Sequence, residues 1–289
     1  MTRINARVSV EDIRFTDLHM HTIYCDGKDT PEAMVQAAIA KGFSCIGFSG
    51  HSYVAFDPAA GMDPESLQAY VKEIRRLKEA YAGKIRIFCG IELDYHTLPE
   101  PETEDDGTAI QKYKDCFDYI IGSVHYIPLT SGANAAEDPG KTEAAGFAAI
   151  DDTPQILMDA VRDHYHGDYY SAAEAYYQLE ADVVNRTGCD IIGHFDLFSK
   201  FNQTYQLFDE HHPRYVKAWK QAADRLLLSG SVFEINTGGM SREWRNIPYP
   251  APEMQAYIRR KGGRFILSSD SHCKETIGYH FHQSIDPVM

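Results

Sequence analysis

Residues 13–51 read IRFTDLHMHTIYCDGKDTPEAMVQAAIAKGFSCIGFSGH, one complete strand–helix–strand unit. The apolar run Ile13 to Leu18 predicts a strand. Thr30-Pro31-Glu32 opens a helix: a threonine side chain can cap free backbone N–H groups, and proline suits the first helical turn. Ala33, Val35, Ala37, Ala38 and Ile39 supply the apolar positions, Gly42 supplies a left-handed cap, and Phe43 to Phe48 is again strand. The unit repeats down the chain. Asp63-Pro64-Glu65 opens a helix with Leu67, Val71, Ile74 and Leu77 on one face, followed by strands at Ile85 to Ile91 and Phe117 to Val124. Further strands are expected at Cys189 to Gly193, Ser231 to Ile235 and Arg264 to Leu267, with helices near 153–187, 213–229 and 251–261.

Seven strands alternating with helices predict an α/β fold with a parallel sheet, because parallel strands need crossovers and the crossovers cover the sheet. No GxGxxG or GxxxxGK[ST] follows any strand, which removes the usual marker of a nucleotide-binding open sheet. The expectation is therefore a closed α/β barrel of about seven βα units forming a single domain over 1–289. Two stretches interrupt the pattern, 96–108 and 128–153, and are read as long loops over the barrel mouth.

Composition narrows the function. With 42 Asp plus Glu against 28 Lys plus Arg, the chain carries a net charge of −14 and should repel nucleic acid and acidic membranes. There is no apolar leader segment and no run of about 18 apolar residues, so neither a cleaved signal nor a membrane span is expected and a cytoplasmic location is. The six cysteines stand singly, without the CxxC spacing of a thiolate metal site.

The chemistry is concentrated at the strand ends. Asp17, His19 and His21 end the first; His51 follows the second; Glu92 and Asp94 end the third. His125 follows the fourth, His194 and Asp196 the fifth, Asn236 the sixth, and Asp270 and His272 the seventh. In a parallel barrel these ends share one face, so residues far apart in sequence converge. Imidazole and carboxylate without thiolate suit zinc, iron or manganese. A mononuclear catalytic site uses about three protein ligands, so this many candidates imply at least two ions. Glu92 could bridge such a pair, an architecture suited to hydrolysis. Asp26-Gly27 reads alone as a turn dipeptide. The other seven histidines, His96, His164, His166, His211, His212, His280 and His282, are assigned structural roles, and the tyrosines between Tyr165 and Tyr177 helix packing.

Six ordered segments, Asp17-Leu18-His19-Met20-His21-Thr22, Ser49-Gly50-His51, Gly90-Ile91-Glu92-Leu93-Asp94, Ser123-Val124-His125, Gly193-His194-Phe195-Asp196 and Ser269-Asp270-Ser271-His272, together resemble the polymerase-and-histidinol-phosphatase (PHP) family. The resemblance, over about residues 13–280, implies a distorted (βα)7, TIM-like barrel with three divalent metal ions: one on His19, His21, Glu92 and Asp270; a second on Glu92, His125 and His194; a third on Asp26, His51 and His272. The family usually has Thr-Asp-His or Ser-Asp-His where this chain has Ser49-Gly50-His51.

Asp26, with Glu234-Ile235-Asn236-Thr237-Gly238-Gly239, Arg242 and Tyr249-Pro250, resembles the histidinol-phosphatase branch. That implies hydrolysis of L-histidinol phosphate in histidine biosynthesis by a metal-bridging hydroxide. Glu92 and Asp196 are the candidate catalytic residues, the latter orienting a histidine or protonating the leaving alkoxide. Arg242 and Lys200 are the candidates for phosphate contact. Acidic residues at the mouth, Asp94 and the Glu102 to Asp106 loop, would favour the cationic alcohol. Three alternatives stand beside this. One is a related phosphoesterase acting on phosphotyrosine or a nucleotide. Another is an amidohydrolase, disfavoured because no lysine sits at a strand end among the histidines. The third is a non-catalytic metal-binding protein. The partner expected is a small phosphate ester; the oligomeric state is not legible.

Overall fold

The structure, a computed structural model, describes residues 2–5, 7–95, 115–129 and 146–284. The expected loop at 96–108, with its acidic run, and residues 130–145 of the other lie outside this set. Seven parallel strands run in the order of the chain: β1 (Thr16–Asp17), β2 (Cys45–Phe48), β3 (Arg86–Asp94), β4 (Tyr119–Ser123), β5 (Ile191–Ile192), β6 (Val232–Asn236) and β7 (Phe265–Ser268). Each pairs in parallel with the next, from β1·β2 to β6·β7. Around them lie α1 (Pro31–Ala40), α2 (Pro64–Ala80), α3 (Pro154–His164), α4 (Tyr169–Glu180), α5 (Pro213–Leu226) and α6 (Pro252–Arg260).

The helix starts follow the chemistry in the sequence. Thr30, Asp63 and Thr153 each accept a backbone N–H three residues on, with proline at the first helical position. Three expectations need correction. The run Ile13 to Leu18 is not one strand: Asp12 caps a 3-10 turn over Ile13–Phe15, leaving only Thr16–Asp17 paired. The helical pattern at 153–187 breaks after Tyr165, where His166 and Gly167 take positive φ and Asp168 caps α4 through the N–H groups of Tyr170 and Ser171. Within 128–153, Phe147–Ala149 is a strand, antiparallel to Tyr126–Pro128. Its rings explain this: Phe56 lies 5.0 Å from Tyr126 and 5.2 Å from Phe147, an apolar wall beside the mouth.

The barrel interior at the opposite end is filled by Leu18, Cys45, Tyr119, Ile121, Ile191, Val232 and Ile266, with Ile4 and Val8 from the N-terminal hairpin beneath them. A second layer packs the outer strand faces against the helices, including Ile46, Phe48, Ile74, Leu77, Ile120 and Trp219. Among the described residues no helix is long and apolar enough to cross a membrane.

The ring closes just beyond the paired residues of β1 and β7. Met20 bridges Ser271 in parallel, and His21 N–H donates to the Ser271 carbonyl at 2.9 Å. Asp17, fully buried, clasps this seam: its carboxylate accepts from the Ser269 N–H (3.1 Å), the Ser269 hydroxyl and the Gly278 N–H (3.2 Å). Burial raises its pKa to about 6 against these bonds. Removing the acceptor leaves several buried donors unmatched, each costing about 1–3 kcal/mol. Asp17→Ala should therefore lower stability by roughly 3 kcal/mol in urea unfolding. A loss below about 0.5 kcal/mol would mean that apolar packing alone holds the seam.

Candidate metal centre

Because all seven strands point the same way, their carboxyl ends bring the predicted residues together. Glu92 sits inside β3 with its carboxylate at the centre. One oxygen, Oε2, lies 3.1 Å from His19 Nε2, 3.1 Å from His51 Nδ1 and 3.4 Å from His21 Nε2. The other, Oε1, lies 3.0 Å from His194 Nε2 and accepts the Ser123 hydroxyl at 2.6 Å. His125 Nε2 is 3.2 Å from His194 Nε2, and His21 Nε2 is 3.3 Å from Asp270 Oδ1. Asp26 reaches His21 Nδ1 at 3.2 Å and His272 Nε2 at 2.8 Å, so its turn places it as a donor to the cluster.

Ligand atoms fall into three overlapping groups: His19, His21 and Asp270; His51, Glu92 and His125; and His21, Asp26, His51 and His272. The three share members, and His194 adjoins the second through Glu92 and His125. Every predicted ligand is thus in the cluster. The donor chemistry fits a cation. His125 Nδ1 is held by Asp94, which leaves its Nε2 lone pair facing His194 Nε2 and the Glu92 carboxylate. Acceptors converging without a hydrogen-bond donor need a shared cation or bound protons.

Supporting contacts orient the ligands. Glu234, on β6, lies 2.9 Å from His19 Nδ1 and accepts the His194 N–H at 2.7 Å. Asn236 Nδ2 donates to Glu234 Oε1 at 3.1 Å. Such carboxylate–histidine pairs fix the tautomer and ring orientation of a ligand. Glu234 is a role that sequence reading missed. Its signal was a carboxylate inside the apolar strand Val232-Phe233-Glu234-Ile235-Asn236, where a buried charge needs a partner. Asp94, read as a strand-end acid at the mouth, also belongs to this layer, through His125.

Asp270 takes a left-handed backbone (φ 51°), a conformation that costs a non-glycine residue about 1–3 kcal/mol unless its surroundings hold it. Arg242 does so, donating to the Asp270 carbonyl at 3.0 Å and to its carboxylate at 2.9 Å. The same guanidinium lies 3.1 Å from His272 Nδ1. Gly50, which stands where the family usually has aspartate, has little room for a side chain unless its neighbours shift. A Cβ there would lie 3.0 Å from Cys25 Sγ and 3.1 Å from Met62 Cε, so these two residues occupy the volume.

The cluster forms the floor of a cavity of about 430 Å³. Arg242 and Lys200 line it, as expected, together with Asp57, Asp151 and Asp152, which sequence reading did not single out. Lys200 is engaged by Asp151, at 2.5 Å from its carbonyl and 3.2 Å from its carboxylate. Asp196 does not join them. It is fully buried outside the lining residues and accepts from Arg245 (3.2 Å) and the Ala251 N–H (3.0 Å). The six described histidines assigned structural roles line no part of the cavity; His212 caps α5 and stacks on Tyr170 at 3.9 Å.

Electrostatics follow from burial and proximity. Burial opposes charge throughout. Against it, His19 and His51 hold Glu92 well below the carboxylate range, and Arg242 and His19 do the same for Asp270. Burial also works against protonated imidazoles, yet Glu92 raises His51 to about 9 and Asp94 raises His125 to about 10. The metal-free centre therefore holds protons near neutral pH that a cation must displace, since imidazole binds metal only when neutral. Zinc uptake should release protons, and affinity should rise with pH by about tenfold per unit for each proton displaced, levelling off near the raised values. Calorimetry in buffers of different ionisation enthalpy checks this; an affinity unchanged between about pH 6 and 9 contradicts it.

Comparisons with known proteins agree with this geometry. Residues 17–238 match the PHP domain family model. The chain is 29% identical over 280 residues to a protein of Deinococcus radiodurans named a probable histidinol-phosphatase, covering 94% of this chain and 92% of that one. A structure from Listeria monocytogenes assigned as a histidinol phosphatase superposes with a TM-score of 0.77 at 22% identity, covering 93% of this chain and 99% of the other. The Lactococcus lactis histidinol phosphate phosphatase, complexed with zinc, L-histidinol and phosphate, superposes with a TM-score of 0.66 at 20% identity, covering 93% and 90%. With a strand-end cluster of the expected residues on a seven-stranded parallel barrel and a family match across most of its length, the chain belongs to the PHP domain family.

Proposed function

We propose that the chain is a metal-dependent phosphomonoesterase that hydrolyses L-histidinol phosphate to L-histidinol and phosphate, acting in the cytoplasm on a small-molecule ester and not on nucleic acid. The observation that carries this reading is the placement of an imidazole–carboxylate cluster, Arg242 and three aspartates around one cavity. The names borne by the Deinococcus and Lactococcus proteins support the substrate. The three ligand groups would suit three divalent ions, of zinc, iron or manganese, with Glu92 among the residues that would hold them. Bound there, such ions supply positive charge for the phosphate oxygens and lower the pKa of the attacking water.

The chain's own residues do the remaining work. Asp270 and His272 hold the Arg242 guanidinium at the cavity, where its N–H groups can take phosphate oxygens in a fixed orientation. Asp57, Asp151 and Asp152 give the wall a negative charge that matches the ammonium of histidinol. Ala59, Ala60 and Ala149 leave the space for its side chain. Since Asp196 stands outside the lining, the proton for the leaving alkoxide is assigned to Lys200, held at the cavity by Asp151.

Phosphate release from L-histidinol phosphate, phosphotyrosine, a nucleoside monophosphate and an aryl phosphate tests the substrate. Histidinol phosphate should lead in kcat/KM by at least about 100-fold, and chelation should abolish all turnover. Comparable slow rates on all four would overturn the substrate reading. Arg242→Ala should lower kcat/KM by about 100-fold. Lys200→Met should slow the alkyl ester much more than the aryl phosphate, whose leaving group needs no proton; equal losses would remove the acid role.

A further inference from the structure

Of the imidazoles that aim Nε2 at Glu92, His19 has Glu234 on its Nδ1 and His125 has Asp94. His194 has the first half of this arrangement only. Its Nε2 lies 3.0 Å from Glu92 Oε1, while its Nδ1 is buried with no partner among the described residues. A ring that offers Nε2 as a ligand carries its proton on Nδ1, so this is a donor lacking an acceptor.

Glu180, at the end of α4, has the complementary defect. It is fully buried, its Oε1 lies 2.9 Å from the Tyr176 hydroxyl, and its Oε2 has no partner. The same hydroxyl lies 3.3 Å from the Phe195 carbonyl. A phenol has one proton and a carbonyl only accepts. The Tyr176 hydroxyl donates to Glu180 Oε1 and shares its one proton with the Phe195 carbonyl, which leaves Oε2 free to accept. Burial pushes Glu180 well above the carboxylate range, and the charges of Asp196 and Glu234 act the same way, against Tyr176 and His125.

These neighbours tie Glu180 to the chain segment that carries His194. Phe195 is the next residue in the chain, the His125 ring is 4.9 Å from the His194 ring, and Glu234 accepts the His194 N–H. Asp196 lies two residues on, and its Oδ1 is a third buried atom with no partner. Among the described residues neither Nδ1 nor Oε2 has a direct partner within hydrogen-bond reach, so any link between them needs an intermediary. One water has the right valence for it, accepting from Nδ1–H and donating to two acceptors.

We propose that Glu180 is a positioning residue for His194, acting through a buried water that His194 Nδ1–H, Glu180 Oε2 and Asp196 Oδ1 share. This rests on His194 being a metal ligand, which zinc titration of the wild type and of His194→Ala checks separately. The direct test is histidine-detected ¹⁵N NMR of zinc-loaded protein, with zinc affinity measured by chelator competition. The wild type should show a slowly exchanging His194 Nδ1–H. Glu180→Leu should lose that resonance and bind zinc at least about tenfold more weakly. Glu180→Gln, which keeps a carbonyl oxygen, should retain the resonance and stay within about threefold in affinity. An unchanged resonance and affinity in Glu180→Leu overturns the proposal, as does equal impairment of both variants, which would indicate packing alone. Should Glu180→Leu fail to fold, Tyr176→Phe removes the anchor of the carboxyl and must shift the His194 resonance; an unshifted signal is equally decisive against it.

Discussion

A carboxylate with no exposure to water, Glu92, is the constraint on which this structure turns. Burying such a charge is costly unless opposite charge and hydrogen bonds surround it. Here the compensation comes from His19, His21, His51 and His194 together with the Ser123 hydroxyl, which arrive from four other strand ends. No local segment could assemble that set. Only a barrel whose strands all point one way delivers it, and the seam that closes the barrel lies between the same two strand ends that carry His19, His21, Asp270 and His272. The fold and the site are in this sense one construction, since loosening the β1–β7 closure would also displace ligands.

The arrangement has a consequence for chemistry. Side chains carried on strand ends and held from behind by Glu234, Asp94 and Arg242 are preorganised, so under the proposed function little reordering would be needed as charge develops on the phosphate. Negative charge on the opposite wall, from Asp57, Asp151 and Asp152, faces the same space. A cavity with cation-binding groups on its floor and carboxylates on its wall suits a substrate that is anionic at one end and cationic at the other. It does so in a chain whose net charge is −14, a value that on its own would argue against any phosphate ligand.

What the sequence revealed, and what it hid, follows from how each feature is encoded. Helix starts such as Thr30-Pro31 and Asp63-Pro64 are local, so they were legible and correctly placed. The convergence of the candidate ligands was legible because each sits at or just past a strand end, and strand ends can be found from apolar runs. Glu234, Asp151 and Asp57 were not, because their roles depend on partners from distant segments and no spacing announces them. The place of Asp196 outside the cavity was hidden for the same reason. It shares a strand end with His194, but two residues carry it away from the cavity and toward Arg245 and Ala251. The short strand at Phe147–Ala149 was hidden in a stretch whose composition of Ala, Gly, Asp and Thr reads as loop; its pairing is fixed by Tyr126 and Phe56.

The central claim is that these strand ends hold metal through Glu92. Anomalous diffraction from crystals grown with zinc, recorded on either side of the zinc absorption edge, tests it most directly. The account predicts peaks enclosed by the three ligand groups, with the Glu92 carboxylate between two of them. Peaks confined to the protein surface, or a centre in which Glu92 touches no metal, would contradict it.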